Sequence, residues 1–146
     1  MAERAEGSTE IASTPEEILE VIVDFDAYPQ WAGVKTAKIL EKDEDGWPRK
    51  VSMSLSQMGF DASYTLEYDY HDDYGGLSWV STEVSGALKR VEGEYVLEPV
   101  GDARTKVTYR LSIDLAVPVP GFLKRQGEKQ AITTALGGLK ERVEQG

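Results

Sequence analysis

Cysteine is absent from these 146 residues, which excludes disulfides, thiolate nucleophiles and cysteine-based metal sites together. Histidine occurs once, at His71, beside Asp72 and Asp73. A Ser-His-Asp arrangement would need that imidazole, yet it falls in an acidic loop outside the alternating segments described below. One histidine and two adjacent carboxylates without a fixed scaffold make a poor ligand set, so no metal is expected. Gly-rich phosphate loops are missing too, because Gly75-Gly76 and Gly137-Gly138 lack a strand–turn–helix context. No cofactor is expected. No run approaches the roughly 18 apolar residues of a membrane span. The stretch Met1-Ala2-Glu3-Arg4-Ala5-Glu6-Gly7 has no apolar core of the secretory-signal kind, which makes the cytoplasm the expected compartment. Cations are scarce, with 16 Lys and Arg against 26 Asp and Glu and a net charge of −10. Nucleic acid needs a basic footprint and is excluded as a partner. Whole-face docking on an anionic membrane is disfavoured for the same reason.

What is present fits an ordinary globular chain, 40% apolar and 29% charged, and one domain over residues 1–146 is expected. Its last stretch organises the rest. Val117-Pro118-Val119-Pro120-Gly121 reads as an extended entry, since proline fixes φ and keeps its predecessor out of the helical region. Beyond it the composition turns to Lys, Glu, Gln, Ala and Leu, which favour helix. At about 100° per residue, Ile132, Ala135, Leu136, Leu139 and Val143 share one narrow stripe. The front half of this helix, Lys124 to Gln130, has almost no apolar face and is expected to border solvent or something wet.

Residues 1–13 alternate weakly and suggest an edge strand. Thr14-Pro15-Glu16-Glu17 is a capping box with proline in the first turn. It predicts a helix over roughly 15–25, and a second short turn broken at Pro29. From Val34 the period becomes two. Predicted strands cover 35–42, 51–56, 60–70, 77–83, 89–98 and 107–115, separated by turns at Asp43 to Gly46, Met58-Gly59, His71 to Gly76, Ser85 to Ala87 and Pro99 to Asp102. Short turns between consecutive strands mean an antiparallel meander, and one apolar face means helices on one side. The class is α+β.

Three stretches carry a resemblance: Phe25-Asp26-Ala27-Tyr28-Pro29-Gln30-Trp31, Gly93-Glu94-Tyr95-Val96-Leu97-Glu98-Pro99 and Val107-Thr108-Tyr109-Arg110-Leu111. With the element order they resemble the SRPBCC superfamily, the START-like helix-grip fold, over about residues 8–145. The chain is most similar to its polyketide cyclase/dehydrase and coenzyme-Q-binding branch. The resemblance implies a curved antiparallel sheet wrapped around a long C-terminal helix, two short helices after the first strand, and a hydrophobic cavity between sheet and helix. It implies no single activity, because the superfamily holds enzymes, lipid carriers and non-catalytic binders.

Strand parity places Met53, Leu55, Phe60, Tyr64, Leu66 and Tyr68 on the inner face, followed by Trp79, Tyr95, Leu97, Tyr109 and Leu111. All but Leu97 are the expected ligand-binding wall. Tyrosines are frequent for a dry core, and hydroxyls converging in an apolar setting describe a pocket with a few polar anchors. The alternative is that the rings merely fill the interior. Gly93 falls opposite Trp79, leaving room for the indole or for a ligand lying on it. Glu83 and Lys89 share the face of Trp79 by parity, as a polar pair at the cavity mouth or an ordinary cross-strand ion pair. Gln57 ends an inward row and could anchor a carbonyl or simply be solvated. Lys124 and Arg125, beside Val119, Phe122 and Leu123, could meet an anionic headgroup or membrane surface at the entrance, or be a solvated patch. The expected function is binding a small hydrophobic molecule of lipid, quinone or aromatic polyketide type. Alternatives are a polyketide cyclase/dehydrase, in which a tyrosine orients or protonates an enolate, and a non-catalytic protein-interaction module. No catalytic residue stands out, and oligomeric state is open.

Overall fold

In a computed structural model, residues 5–32, 34–57, 60–86, 88–116 and 118–145 are described, the side chains of Gln57 and Phe60 excepted. Strand β1 (Ala5–Ile11) leads into helix α1 (Pro15–Ile22). The capping box forms as predicted: Thr14 Oγ1 accepts the Glu17 amide at 3.3 Å, and its hydroxyl donates to the Glu17 carboxylate at 3.2 Å. The helix stops at Ile22, three residues short of the prediction. A 3-10 turn (Phe25–Ala27) then leads into α2 (Tyr28–Trp31). Pro29 does not break this second helix. It occupies the first turn, where its missing N–H is not needed. The Tyr28 hydroxyl donates to the Ile22 carbonyl at the end of α1, which fixes the angle between the two helices.

Six further strands follow: β2 (Thr36–Lys42), β3 (Pro48–Gln57), β4 (Phe60–Tyr70), β5 (Gly76–Gly86), β6 (Leu88–Gly101) and β7 (Arg104–Leu115). They form one open, curved antiparallel sheet in the order β1-β7-β6-β5-β4-β3-β2. Consecutive hairpins build all of it except the β1–β7 pair, which joins the chain's first strand to its last, from Ala5↔Leu111 to Ile11↔Thr105. Two strands each carry an extra residue. Thr82 is an extra residue in β5, between Thr65↔Glu83 and Leu66↔Ser81. Lys89 is an extra residue in β6, between Leu88↔Leu115 and Arg90↔Asp114. The predicted turns at Met58-Gly59 and Ala87 lie outside the described residues.

Helix α3 (Gly121–Glu144) lies along the concave face, with Ile132, Ala135, Leu136 and Leu139 buried as the stripe predicts and Val143 half-buried. Its end is tied down on both sides. Lys140 Nζ donates to the Glu10 carbonyl at 2.6 Å, the Ala12 amide donates to Glu144 Oε2 at 3.0 Å, and Arg142 reaches Gln30 Oε1 at 3.0 Å. Gly138 lets α3 approach α2: a Cβ there would stand 2.3 Å from the Trp31 carbonyl oxygen. This is the structural use of Gly138, whereas Gly137 faces open space.

Candidate ligand cavity

Between the concave sheet and α3 lies a cavity of about 250 Å³. On the sheet side Met53, Leu55, Tyr64, Leu66 and Tyr68 line it from β3 and β4, and Trp79, Tyr95, Tyr109 and Leu111 from β5, β6 and β7. These are the residues that strand parity placed inward. Leu97 is buried in the core off the cavity wall, and the Phe60 side chain lies outside the described residues. Sequence reading missed Tyr28, Ala32 and Val34 from the α2 region, and Leu88, Val91 and Ile113 from the sheet. It also missed Gln130, Ala131, Thr134 and Ala135 as the α3 wall.

The aromatic rings form a continuous wall. Phe25 lies 5.0 Å from Tyr68, centroid to centroid, and Tyr68 lies 5.9 Å from Trp79. The indole is flanked by Tyr95 at 5.4 Å and Tyr109 at 5.5 Å, which meet each other edge-on at 4.7 Å. Gly93 makes this possible. It pairs directly with Trp79, and a Cβ on it would stand 2.7 Å from the indole Cζ2 and 2.5 Å from the Arg110 carbonyl oxygen. The predicted space opposite Trp79 is therefore filled by the indole itself.

The hydroxyls divide into two groups. Tyr28 and Tyr70 donate to the backbone carbonyls of Ile22 and Pro48. Those of Tyr64, Tyr68, Tyr95 and Tyr109 have no partner among the described residues, yet none is sealed from solvent-sized space. They open into the cavity. Burial pushes all four phenols well up from their ordinary range, and Tyr68 is raised further by Tyr64, Tyr109 and Tyr95. They are therefore neutral hydrogen-bond donors at physiological pH, not bases.

Exposure locates the mouth. Among the described lining residues Ser56, Gln130 and Thr134 are the exposed ones, which puts the opening between the end of β3 and the middle of α3. The residues predicted for the mouth lie elsewhere. The Thr82 bulge reverses the parity of β5, so Val84 faces Tyr64 and Glu83 pairs with Thr65, whose side chain lies on the opposite strand face. The Lys89 bulge does the same on β6: Leu88 is buried against the cavity, and Lys89 turns out to solvent. Phe122 and Arg125 line a different hollow, shared with Ala5, Glu6 and Lys129 on the β1 side of α3, and Lys124 is not on the cavity wall either. The Gln57 side chain lies outside the described residues. His71 borders a separate solvent-open hollow with Asp43, Asp45 and Asp72.

The front half of α3 is less wet than predicted. Glu128, only 3% exposed, accepts the Ile113 amide at 3.0 Å through Oε2. The described β1–β7 pairing ends at Ala5↔Leu111, and two residues further along β7 this carboxylate supplies the acceptor. Glu128 sits four residues before Ile132, so it lies on the apolar stripe; that spacing was the available signal.

A curved seven-stranded sheet closed on one face by a long C-terminal helix, with two short helices after β1, defines the START-like helix-grip fold. The chain belongs to the polyketide cyclase/dehydrase and lipid transport family, whose model matches residues 2–144. Solved structures agree on the fold. A START superfamily protein from Mycobacterium smegmatis is 23% identical with a TM-score of 0.88, covering 97% of each chain. The Zhui aromatase/cyclase from Streptomyces sp. R1128 is 13% identical with a TM-score of 0.79, over 99% of this chain and 95% of that one. A STAR-related lipid transfer protein from Xanthomonas axonopodis is 16% identical with a TM-score of 0.71, over 97% and 85%. No curated protein matches the chain. Family and fold together make this a hydrophobic ligand-binding architecture. Among the described residues no helix is long and apolar enough to cross a membrane.

Proposed function

We propose that this chain binds a small hydrophobic ligand, of lipid, quinone or aromatic polyketide type, in the cavity between sheet and α3. The observation that carries this reading is the set of four phenol hydroxyls that have no protein partner among the described residues and stand on the wall of an apolar space. A wall built only to fill a core would leave each hydroxyl stranded at about 1–3 kcal/mol. A wall built for a ligand uses them as anchors. Met53, Leu55, Leu66, Trp79 and Leu111 supply the apolar contact. We place the protein in the cytoplasm. Native mass spectrometry of the purified protein, followed by solvent extraction, tests the reading. A co-purifying hydrophobic mass supports it. A clean apo mass, with no thermal stabilisation by quinones, lipids or aromatic ketones, overturns it and leaves a protein-interaction role.

A second reading, a polyketide cyclase/dehydrase in the same cavity, is favoured by the protonation state of the phenols. Held neutral by burial, they can donate to a developing enolate oxygen. The two readings separate on Tyr95→Phe and Tyr109→Phe. An enzyme loses turnover of a poly-ketone while still binding it, whereas a carrier has no turnover to lose.

A further inference from the structure

The hollow on the β1 side of α3, of about 460 Å³, shares no lining residue with the cavity. Glu128 lines it, although that residue is only 3% exposed. One carboxylate oxygen, Oε2, is taken by the Ile113 amide. The other, Oε1, has no hydrogen-bond or ion-pair partner among the described residues and is not sealed from solvent-sized space. A carboxylate with so little water around it needs a donor or a counter-charge on its free oxygen. Its neighbours in the hollow do not supply one. Arg125 stands three residues before Glu128 and Lys129 one after, yet neither is ion-paired among the described residues. The Arg125 guanidinium instead lies back over the first turn of α3, where a Cβ on Gly121 would stand 3.4 Å from its Nη1. That helix start has no side-chain cap and no acidic residue in its first turn, so cation and helix dipole together favour an anion there. Glu6, also on the wall, is already held by Arg110 at 2.5 Å. Phe122, 62% exposed, and Ala5 add apolar surface.

A plain anion would answer the two cations and leave the buried oxygen unserved. A plain amine would serve that oxygen but sit beside two like charges. A molecule carrying both groups satisfies both. We propose that this hollow is a second binding site, for a small zwitterion of the amino-acid kind. Its ammonium donates to Glu128 Oε1, its carboxylate meets Arg125 at the helix start with Lys129 beside it, and its apolar side group covers Phe122 and Ala5. Glu128 thereby holds α3 to β7 through one oxygen and the ligand through the other. The site is independent of what fills the cavity.

Isothermal titration with three compounds of one skeleton tests this: phenylalanine, phenethylamine, which lacks the carboxylate, and 3-phenylpropanoate, which lacks the ammonium. Phenylalanine is expected to bind about tenfold or more tightly than either of the others, one charge-assisted hydrogen bond's worth. Glu128→Gln keeps a carbonyl acceptor for the Ile113 amide and removes the charge, so it should weaken phenylalanine binding about tenfold or more while the protein stays folded, with melting temperature as the control. Arg125→Gln should weaken phenylalanine to a similar degree and leave phenethylamine within about twofold. Phenethylamine or 3-phenylpropanoate binding as tightly as phenylalanine overturns the proposal. So does phenylalanine binding that neither variant changes, since the compound would then lie elsewhere, and so does binding of none of the three. A ligand found in the cavity, or its absence, alters none of these outcomes, because the two sites have no residue in common.

Discussion

Glu128 offers the sharpest test of how α3 is held, because its carboxylate is a long-range hydrogen-bond acceptor on an otherwise apolar stripe. Oε2 lies 3.0 Å from the Ile113 amide, and the residue is 3% exposed. Glu128→Ala removes the acceptor and leaves a β7 amide facing apolar α3. A hydrogen bond to a charged group contributes about 1.5–3 kcal/mol, so a loss near 2 kcal/mol is expected. At this chain length that corresponds to a fall in Tm of about 4–8 °C. Glu128→Gln keeps a carbonyl acceptor of the same reach and should lose about 1 kcal/mol or less. Urea unfolding followed by circular dichroism, with calorimetric Tm, measures all three proteins. The two variants being equally unstable would refute the reasoning, since the stripe would then need the charge or the volume of the side chain and not the acceptor. Glu128→Ala melting with the parent protein would refute it more directly.

Three other outcomes follow from the packing and the buried phenols. Gly138→Ala should cost about 1–3 kcal/mol by overpacking against the Trp31 carbonyl, whereas Gly137→Ala, with open space around its Cβ, should be neutral or slightly stabilising; paired urea titrations compare them. Tyr28, Tyr64, Tyr68, Tyr95 and Tyr109 all have folded-state pKa values raised by burial above the unfolded value of about 10. Their contribution to stability is thus complete below about pH 10 and is lost as pH rises toward the folded values. Ultraviolet absorbance should show these phenols ionising in one step with alkaline unfolding; gradual ionisation in the folded protein near pH 10 would contradict their burial. Reversing both charges, Lys124→Glu with Arg125→Glu, should leave affinity for the cavity ligand unchanged within about twofold, because Arg125 lines the hollow on the β1 side and neither residue lines the cavity. A larger loss in a ligand titration would restore these cations to the entrance.

Much of this molecule was already fixed by local pattern. The Thr14–Glu17 box, the alternation through β3, β4 and β7 and the α3 stripe follow from periods and spacings within a few residues, and the facing of Trp79 by Gly93 follows from a hairpin tip at Ser85 to Ala87. The wall of the cavity was therefore legible, since an unbroken strand fixes which way each side chain points. Its mouth was not. One extra residue, Thr82 in β5 and Lys89 in β6, reverses the direction of the residues beyond it, and bulges depend on how a curved sheet accommodates neighbouring strands. Glu128 was hidden for a related reason: an isolated charge on a helix reads as solvated until the sheet presents an unpaired amide to it. Sequence decided the faces of the elements, through side-chain periodicity. Tertiary structure decided where those faces break and what meets them there, because that depends on strands and helices that are distant in the chain.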